Sequence, residues 1–265
     1  MAQVGFERFR SIVQVALDGH AAEVILEVGA RDCTETLDFH SAYPDAAIFA
    51  FECNPATLPL CRRAVEGKSK IHLIEKAVTD HDGQVTFFPI DQEKTVTGQL
   101  DGNPGASSLF LASPDYPEEK YVQREIVVEA TTLKTFLVQN RIGTIDLMWM
   151  DIQGAELLAF RGMQERVTDL KLIHVEVEFF RIYQGQPLFP EVLAYLKKSG
   201  FAFLGFTVYS KFAADAVFAN RRYISLGARL RILRYHQFLV TKRLKYLRHR
   251  LKRLLRLERR RPPRK

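Results

Sequence analysis

The residues best suited to chemistry lie at the ends of four apolar runs. Glu27 and Gly29 close the run in AEVILEVGARDC, Glu52 closes AAIFAFE, and Asp151 closes IDLMWMD. His174, Glu176 and Glu178 alternate with apolar residues in KLIHVEVEF. A glycine after a buried strand lets the backbone approach a ligand closely. A carboxylate 23 positions after Gly29 is placed to accept from both hydroxyls of a ribose. Asp151, Glu176 and His174 are side chains that can take a proton from a hydroxyl. Each residue also has a plainer reading. Gly29 reads as an ordinary strand–turn–helix corner, Glu52 and Glu178 as solvated acids, and His174 as a hydrogen-bonded core histidine.

A parallel sheet would bring these groups to one edge. Short apolar runs predict strands at 24–28, 46–52, 71–78, 145–151 and 171–179, with further short strands at 85–90 and 124–130. Strands at 201–209 and 216–224 read as an edge hairpin. Helical spacing predicts helices at 3–18, 34–42, 55–65, 131–140, from 156 to about 160, and 187–199. Such alternation builds an α/β fold that binds ligands beyond the carboxyl ends of its strands. The end of the third strand would then flank an adenine, which nominates Ala77, Val78 and Asp80, although Asp80 reads equally well as a turn residue. The polar face of 171–179 is unusual for a central parallel strand, so it is expected to open into a cleft or to pair internally. Residues 91–120 are rich in Gly, Pro and Ser, which predicts a lid, a binding loop or disorder.

Composition divides the chain. Residues 228–265 hold 16 Lys and Arg and one acid, so the overall +7 conceals a body with net charge −8. An acidic body argues against nucleic acid as a partner. Domain boundaries are expected at 1–21 for an N-terminal helix, 22–227 for the main domain and 228–265 for a basic tail. In the tail, Leu230, Leu233, Val240, Leu244, Leu247, Leu251 and Leu254 form a heptad seam with basic flanks. This predicts one amphipathic helix over 228–257 that docks on an anionic membrane surface. A homo-oligomeric coiled coil, an acidic partner protein, the acidic body and nucleic acid are its alternatives, and the terminal RRRPPRK reads as disordered. Cys33, Cys53 and Cys61 fit no metal spacing and suggest reduced thiols. With no signal peptide and no long apolar run in view, the expected location is cytoplasmic, peripheral at the inner membrane surface if the tail binds lipid.

The pair Glu27-x-Gly29 resembles the first motif of Rossmann-like, S-adenosylmethionine-dependent methyltransferases, although Cys33 stands where a second glycine is common. In such proteins this corner faces the methionine part of the cofactor, whose ammonium and sulfonium suit an acid. Four stretches in order, ILEVGARD, FAFECNP, IDLMWMDIQGAE and HVEVEFFRIYQGQPLF, are together similar to the FkbM-type methyltransferase family. The likeness spans roughly residues 24–209. Gln153 departs from it, standing where the middle acid of an acid-isoleucine-acid-glycine-acid signature is usual, and Ser107-Ser108-Leu109 resembles the family's serine-containing loop. The resemblance implies a Rossmann-like methyltransferase fold and leaves the tail uncovered. With the runs above, the expected fold is α/β, a mostly parallel seven-stranded sheet with helices on both faces, plus the basic C-terminal helix read from the tail itself. It implies S-adenosyl-L-methionine as cofactor, held by Glu27, Gly29, Ala30, Glu52, Cys53, Val78, Asp80, Ser108 and Asp151. It also implies methyl transfer to a hydroxyl of a sugar, a glycan or a lipid-linked small molecule, with Asp151, Glu176 and His174 as candidate bases. No spacing demands a metal. Two rival readings remain at this stage. One is a non-catalytic adaptor with a degenerate nucleotide-binding fold, favoured by Cys33 and Gln153. The other is a nucleic-acid methyltransferase, disfavoured by MDIQG where an asparagine-proline-proline-aromatic motif would stand.

Overall fold

The computed structural model describes residues 2–259, with side chains from 3 to 253. Its elements run α1 (Ala2–Ala16), β1 (Val24–Val28), α2 (Thr34–Ala42), β2 (Ala47–Phe51), α3 (Leu58–Val65), β3 (Ile71–Ile74), β4 (Ala77–Val78) and β5 (Gly83–Phe87). They continue with β6 (Ile126–Thr131), α4 (Leu133–Gln139), β7 (Ile145–Met150), α5 (Glu156–Met163), β8 (Leu170–Glu178), α6 (Phe189–Lys198), β9 (Phe201–Tyr209), β10 (Ala213–Asn220), α7 (Leu226–Tyr235) and α8 (Gln237–Arg259).

A seven-stranded sheet in the order β3-β2-β1-β7-β8-β10-β9 forms the centre. Its first four pairings are parallel, and β10 joins β8 and β9 antiparallel. The chain turns back beside β1, where β7 takes the other flank, and this reversal opens the crevice that binds ligands in such sheets. One face packs on α1 and α7, with Phe9, Ile12, Ile25, Leu147, Trp149 and Ile232 in the layer. The other face packs on α4, α5 and α6, through Leu26, Met148, Ile173, Leu137, Phe160 and Leu196. Burying each large side chain contributes about 1.5–3 kcal/mol.

Two expectations are corrected. The strand predicted over 71–78 breaks at Glu75–Lys76. Residues 71–74 stay in the main sheet, and Ala77–Val78 pair with β6 in a separate three-stranded sheet, β4-β6-β5. An apolar run cannot reveal that its two halves pair with different neighbours. The tail is also not one helix over 228–257, because α7 and α8 part at His236. Nor is the leucine seam the packed face. Ile232, Leu239 and Tyr246 are buried, whereas Leu230, Leu244, Leu247 and Leu251 are exposed. α8 docks because Gly205 has no side chain: a Cβ there would lie 2.7 Å from the Leu239 carbonyl oxygen. Tyr246 then enters an aromatic cluster with Phe179, Phe189 and Phe206. RRRPPRK begins at Arg259, the last residue of α8, and the rest of it lies outside the described residues. Among the described residues no helix is long and apolar enough to cross a membrane.

Candidate functional site

The corner after β1 is built by close backbone packing. Gly29 has φ 91°, and a Cβ on it would sit 1.9 Å from the Asp151 carbonyl oxygen. Gly29 and Ala30 both donate their N–H to the Phe51 carbonyl, at 3.0 and 2.9 Å, while Asp151 N–H donates to Val28 at 2.9 Å. The ends of β1, β2 and β7 are thereby held at one point. Cys33 is left-handed at φ 61°, which accounts for the glycine common at this position. A side chain there costs roughly 1 kcal/mol, and the Cys33 thiol is fully buried beside Cys61.

Glu52 occupies the end of β2 with its carboxylate anchored. Oε2 accepts from Arg31 N–H at 2.7 Å, and Oε1 from Cys53 and Asn54 N–H at 2.8 and 2.6 Å. Burial pushes its pKa up, and these three donors pull it back. A pocket opens over it, lined by Gly29, Glu52, Cys53, Val78 and Asp151, with Phe51, Phe87 and Leu109 supplying apolar walls. The segment 104–109 of the loop-rich insert is an ordered strap across this pocket. Asn54 Nδ2 donates to Ser107 Oγ at 3.1 Å, and Arg31 pairs with Asp101 at 3.3 Å.

A second group of side chains adjoins the pocket. The Gln153 amide donates one N–H to Asp151 Oδ1 and the other to Glu176 Oε2, each at 2.7 Å. Its own oxygen lies 2.8 Å from the Tyr183 hydroxyl, which is also 2.7 Å from the Ala106 carbonyl of the strap. Burial, then the charges of Asp151, Glu178 and Asp215, pushes Glu176 well above the ordinary carboxylate range. Its protonated form is thereby favoured relative to an ordinary carboxyl. The loop that carries Gln153 is fixed by Glu156, whose Oε1 accepts from Ile152 and Gly154 N–H at 3.1 Å each. Among the described residues no group of three or more His, Cys, Asp or Glu is arranged to hold a metal ion.

Gly29, Glu52, Cys53, Val78, Asp151 and Glu176 thus converge, and five other candidates do not reach the cleft. Glu27 shares its sheet face with Ile25 and turns beneath α2, where the Thr36 hydroxyl donates to it and burial pushes its pKa well up. His174 lies on the α1 face, stacked on Trp149 at 3.7 Å and bonded through Nε2 to Thr207 Oγ1 at 2.7 Å. Burial lowers it to about 3, so it is a neutral core residue. Asp80 is exposed and meets His81 at 3.0 Å outside the pocket. The Ala30 side chain is buried in a small cluster with Cys33 and Cys61. Ser108 is buried, and its hydroxyl donates to the Gln153 carbonyl at 2.7 Å, tying the strap to the loop, while its neighbour Ser107 lines the pocket.

Sequence reasoning did not assign roles to Gln153, Tyr183, Glu156 and Asn54. All four stand inside the stretches quoted above, and Gln153 was conspicuous as a departure from the signature. Comparison with known proteins adds identity to this geometry. Residues 27–203 match the model of the Methyltransferase FkbM domain. The 2-O-methyltransferase NoeI of Sinorhizobium fredii is 29% identical over 167 residues, covering 62% of this chain and 66% of that protein. Methyltransferase 1 of Beauveria bassiana is 25% identical over 153 residues, covering 55% and 60%. The matched region thus spans just under two thirds of each relative. Among solved structures, the N-terminal domain of EvdMO1, crystallised in the presence of SAH and D-fucose, is similar at 12% identity and TM-score 0.44, covering 82% of this chain and 83% of that one.

Proposed function

Since the chain belongs to the FkbM family of methyltransferases, with S-adenosylmethionine as methyl donor, we propose that it methylates a hydroxyl oxygen of a carbohydrate, with Asp151 as the proton acceptor. The Gln153 amide that bridges Asp151 and Glu176 beside the pocket carries this reading. The name of the Sinorhizobium relative, a 2-O-methyltransferase, agrees with a hydroxyl acceptor.

The pocket suits the cofactor. Glu52 presents a carboxylate anchored by backbone donors, with lone pairs left for ribose hydroxyls, and Phe51, Val78 and Phe87 form an apolar slot for a flat base. Bound S-adenosylmethionine supplies a methyl group on a sulfonium, which already carries a good leaving group. The protein's remaining work is to position the acceptor and handle its proton. Burial raises the pKa of Glu176, which favours its protonated form and lowers the charge the pair must carry. Asp151 takes the proton from the acceptor hydroxyl, and Gln153 holds both carboxyls in register. Pro104, Gly105, Ser107 and Leu109 of the strap line the pocket, where they would limit access of water to a bound cofactor.

The test is transfer of labelled methyl from S-adenosylmethionine to a panel of mono- and oligosaccharides. Asp151→Asn is expected to lower turnover at least a hundredfold. Glu52→Gln is expected to weaken cofactor binding about tenfold by calorimetry. Full turnover by the Asp151 variant would remove the base from this residue.

A further inference from the structure

We infer that the groove between α8 and the carboxyl end of β8 binds a diphosphate group borne by the methyl acceptor. The inference rests on reading the acidic cleft as the place of methyl transfer. The groove encloses about 800 Å³. Its floor is apolar and aromatic, formed by Phe179, Leu188, Pro190, Tyr209 and Tyr246. Its rim is cationic, with Lys211, Lys242, Lys245, Arg250 and Arg253 joined by His249, and no carboxylate lines it. Among the described residues none of these five cations has an acidic partner within 4 Å.

The arrangement is set by the helix. At about 100° per residue, Lys242, Lys245, Tyr246, His249, Arg250 and Arg253 share one face of α8. The exposed Leu244, Leu247 and Leu251 occupy the opposite face. α8 therefore turns its cations toward the sheet edge while Tyr246 anchors it there. Lys242 and Lys245 lie 5.7 and 5.6 Å from the Tyr209 ring, which supports the ammonium groups without neutralising them. Several unneutralised cations over an aromatic floor suit a multiply charged oxyanion joined to an apolar or ring-shaped body better than a single carboxylate.

The groove also lies beside a residue of the cleft's hydrogen-bond network. An adjoining hollow of about 400 Å³ shares Phe179, Leu188 and Arg253 with it and reaches Tyr183, the residue bonded to Gln153. Asp115 and Arg181 also line this hollow. A diphosphate held under α8 would direct the attached sugar toward Asp151 and Glu176.

Uridine diphosphate is the soluble probe, titrated into the full-length protein at low salt, with S-adenosylmethionine titrated in parallel. Binding is expected, weakened at least tenfold in Lys245→Ala/Arg250→Ala and unchanged in Leu247→Ser/Leu251→Ser. Cofactor affinity should be the same in all three proteins. Vesicles containing phosphatidylglycerol separate the sources. Vesicle binding that uridine diphosphate displaces, and that the Lys245/Arg250 variant loses, assigns the oxyanion to a lipid headgroup. Uridine diphosphate binding without vesicle binding assigns it to a free diphosphate. Failure of the full chain to bind either probe, or undiminished binding by the Lys245/Arg250 variant, overturns the inference. If cofactor binding persists when both probes fail, the groove alone is wrong. If cofactor binding itself is missing, the functional reading falls with it.

Discussion

Gln153 gains its meaning from its two hydrogen bonds. An acid at that position would add a third carboxyl beside Asp151 and Glu176 and would remove the donor that both carboxyls use. Hydrogen bonds to charged groups are worth about 1.5–3 kcal/mol each, so Gln153→Glu is expected to lower turnover at least a hundredfold. Steady-state kinetics with saturating cofactor checks this, and wild-type turnover in the variant would show that the bridge is dispensable. His174 makes the opposite case. Its ring stacks on Trp149 and its Nε2 meets Thr207 in the core, away from the pocket. His174→Ala should therefore cost about 2–4 kcal/mol of stability. Turnover per folded molecule should stay within about twofold. Urea unfolding and active-site titration separate the two quantities, and a large fall in turnover at unchanged stability would return His174 to the site.

At the scale of elements, the C-terminal helices belong to the body that they cover. Ile232 and Leu239 pack on the α1 face of the sheet, and Tyr246 enters the opposite layer between Phe189 and Phe206. A chain ending at Gly227 loses all three, at about 1.5–3 kcal/mol for each side chain. It is expected to unfold without cooperativity or to aggregate, whereas a chain ending at Arg253 should keep the full-length Tm. Calorimetric scans of the two chains decide the matter, and a cooperative transition in the shorter one would make α7 and α8 a true appendage. The loop-rich insert is likewise tied down. Ser108, Ala106 and Asn54 join it to the Gln153 loop, to Tyr183 and to the end of β2.

The whole molecule buries several acids whose pKa values burial raises, and its stability should follow their titration. Burial, then the charges of Asp151 and Glu35, pushes Asp215 up to about 7, and burial chiefly pushes Glu156 to about 7. The stability from each neutral acid is complete below its ordinary pKa and is lost as pH rises through 7. His174 acts in the other direction. It contributes fully above 6.5 and loses its contribution as pH falls toward 3. Between pH 6.5 and 8 the acids dominate, and Asp215 and Glu156 by themselves should lower stability by about 1–2 kcal/mol across that window. Asp215→Asn should flatten the slope. Urea midpoints at the two pH values measure it, and a flat wild-type profile would contradict neutral burial of these carboxyls.

Much of the fold was legible because it follows from local chemistry. Apolar runs ending in Gly29, Glu52 and Asp151 mark parallel strands, and the order of those runs places the three ends on one edge. The seven-stranded sheet, the edge hairpin and the place of Glu52 at the pocket could all be read in this way. Tertiary structure decided what depends on the direction of a side chain and on distant partners. Glu27 and Glu52 are alike in the sequence, yet one turns beneath α2 and the other lines the pocket. His174 and Glu176 share a strand face, but only Glu176 reaches the carboxyl edge, because two residues of β-strand rise carry it roughly 6–7 Å further along. The leucine seam of the tail could not show which face packs. A Gly205 surface and a pocket for Tyr246 made that choice, and both come from strands or helices more than thirty residues away in the chain.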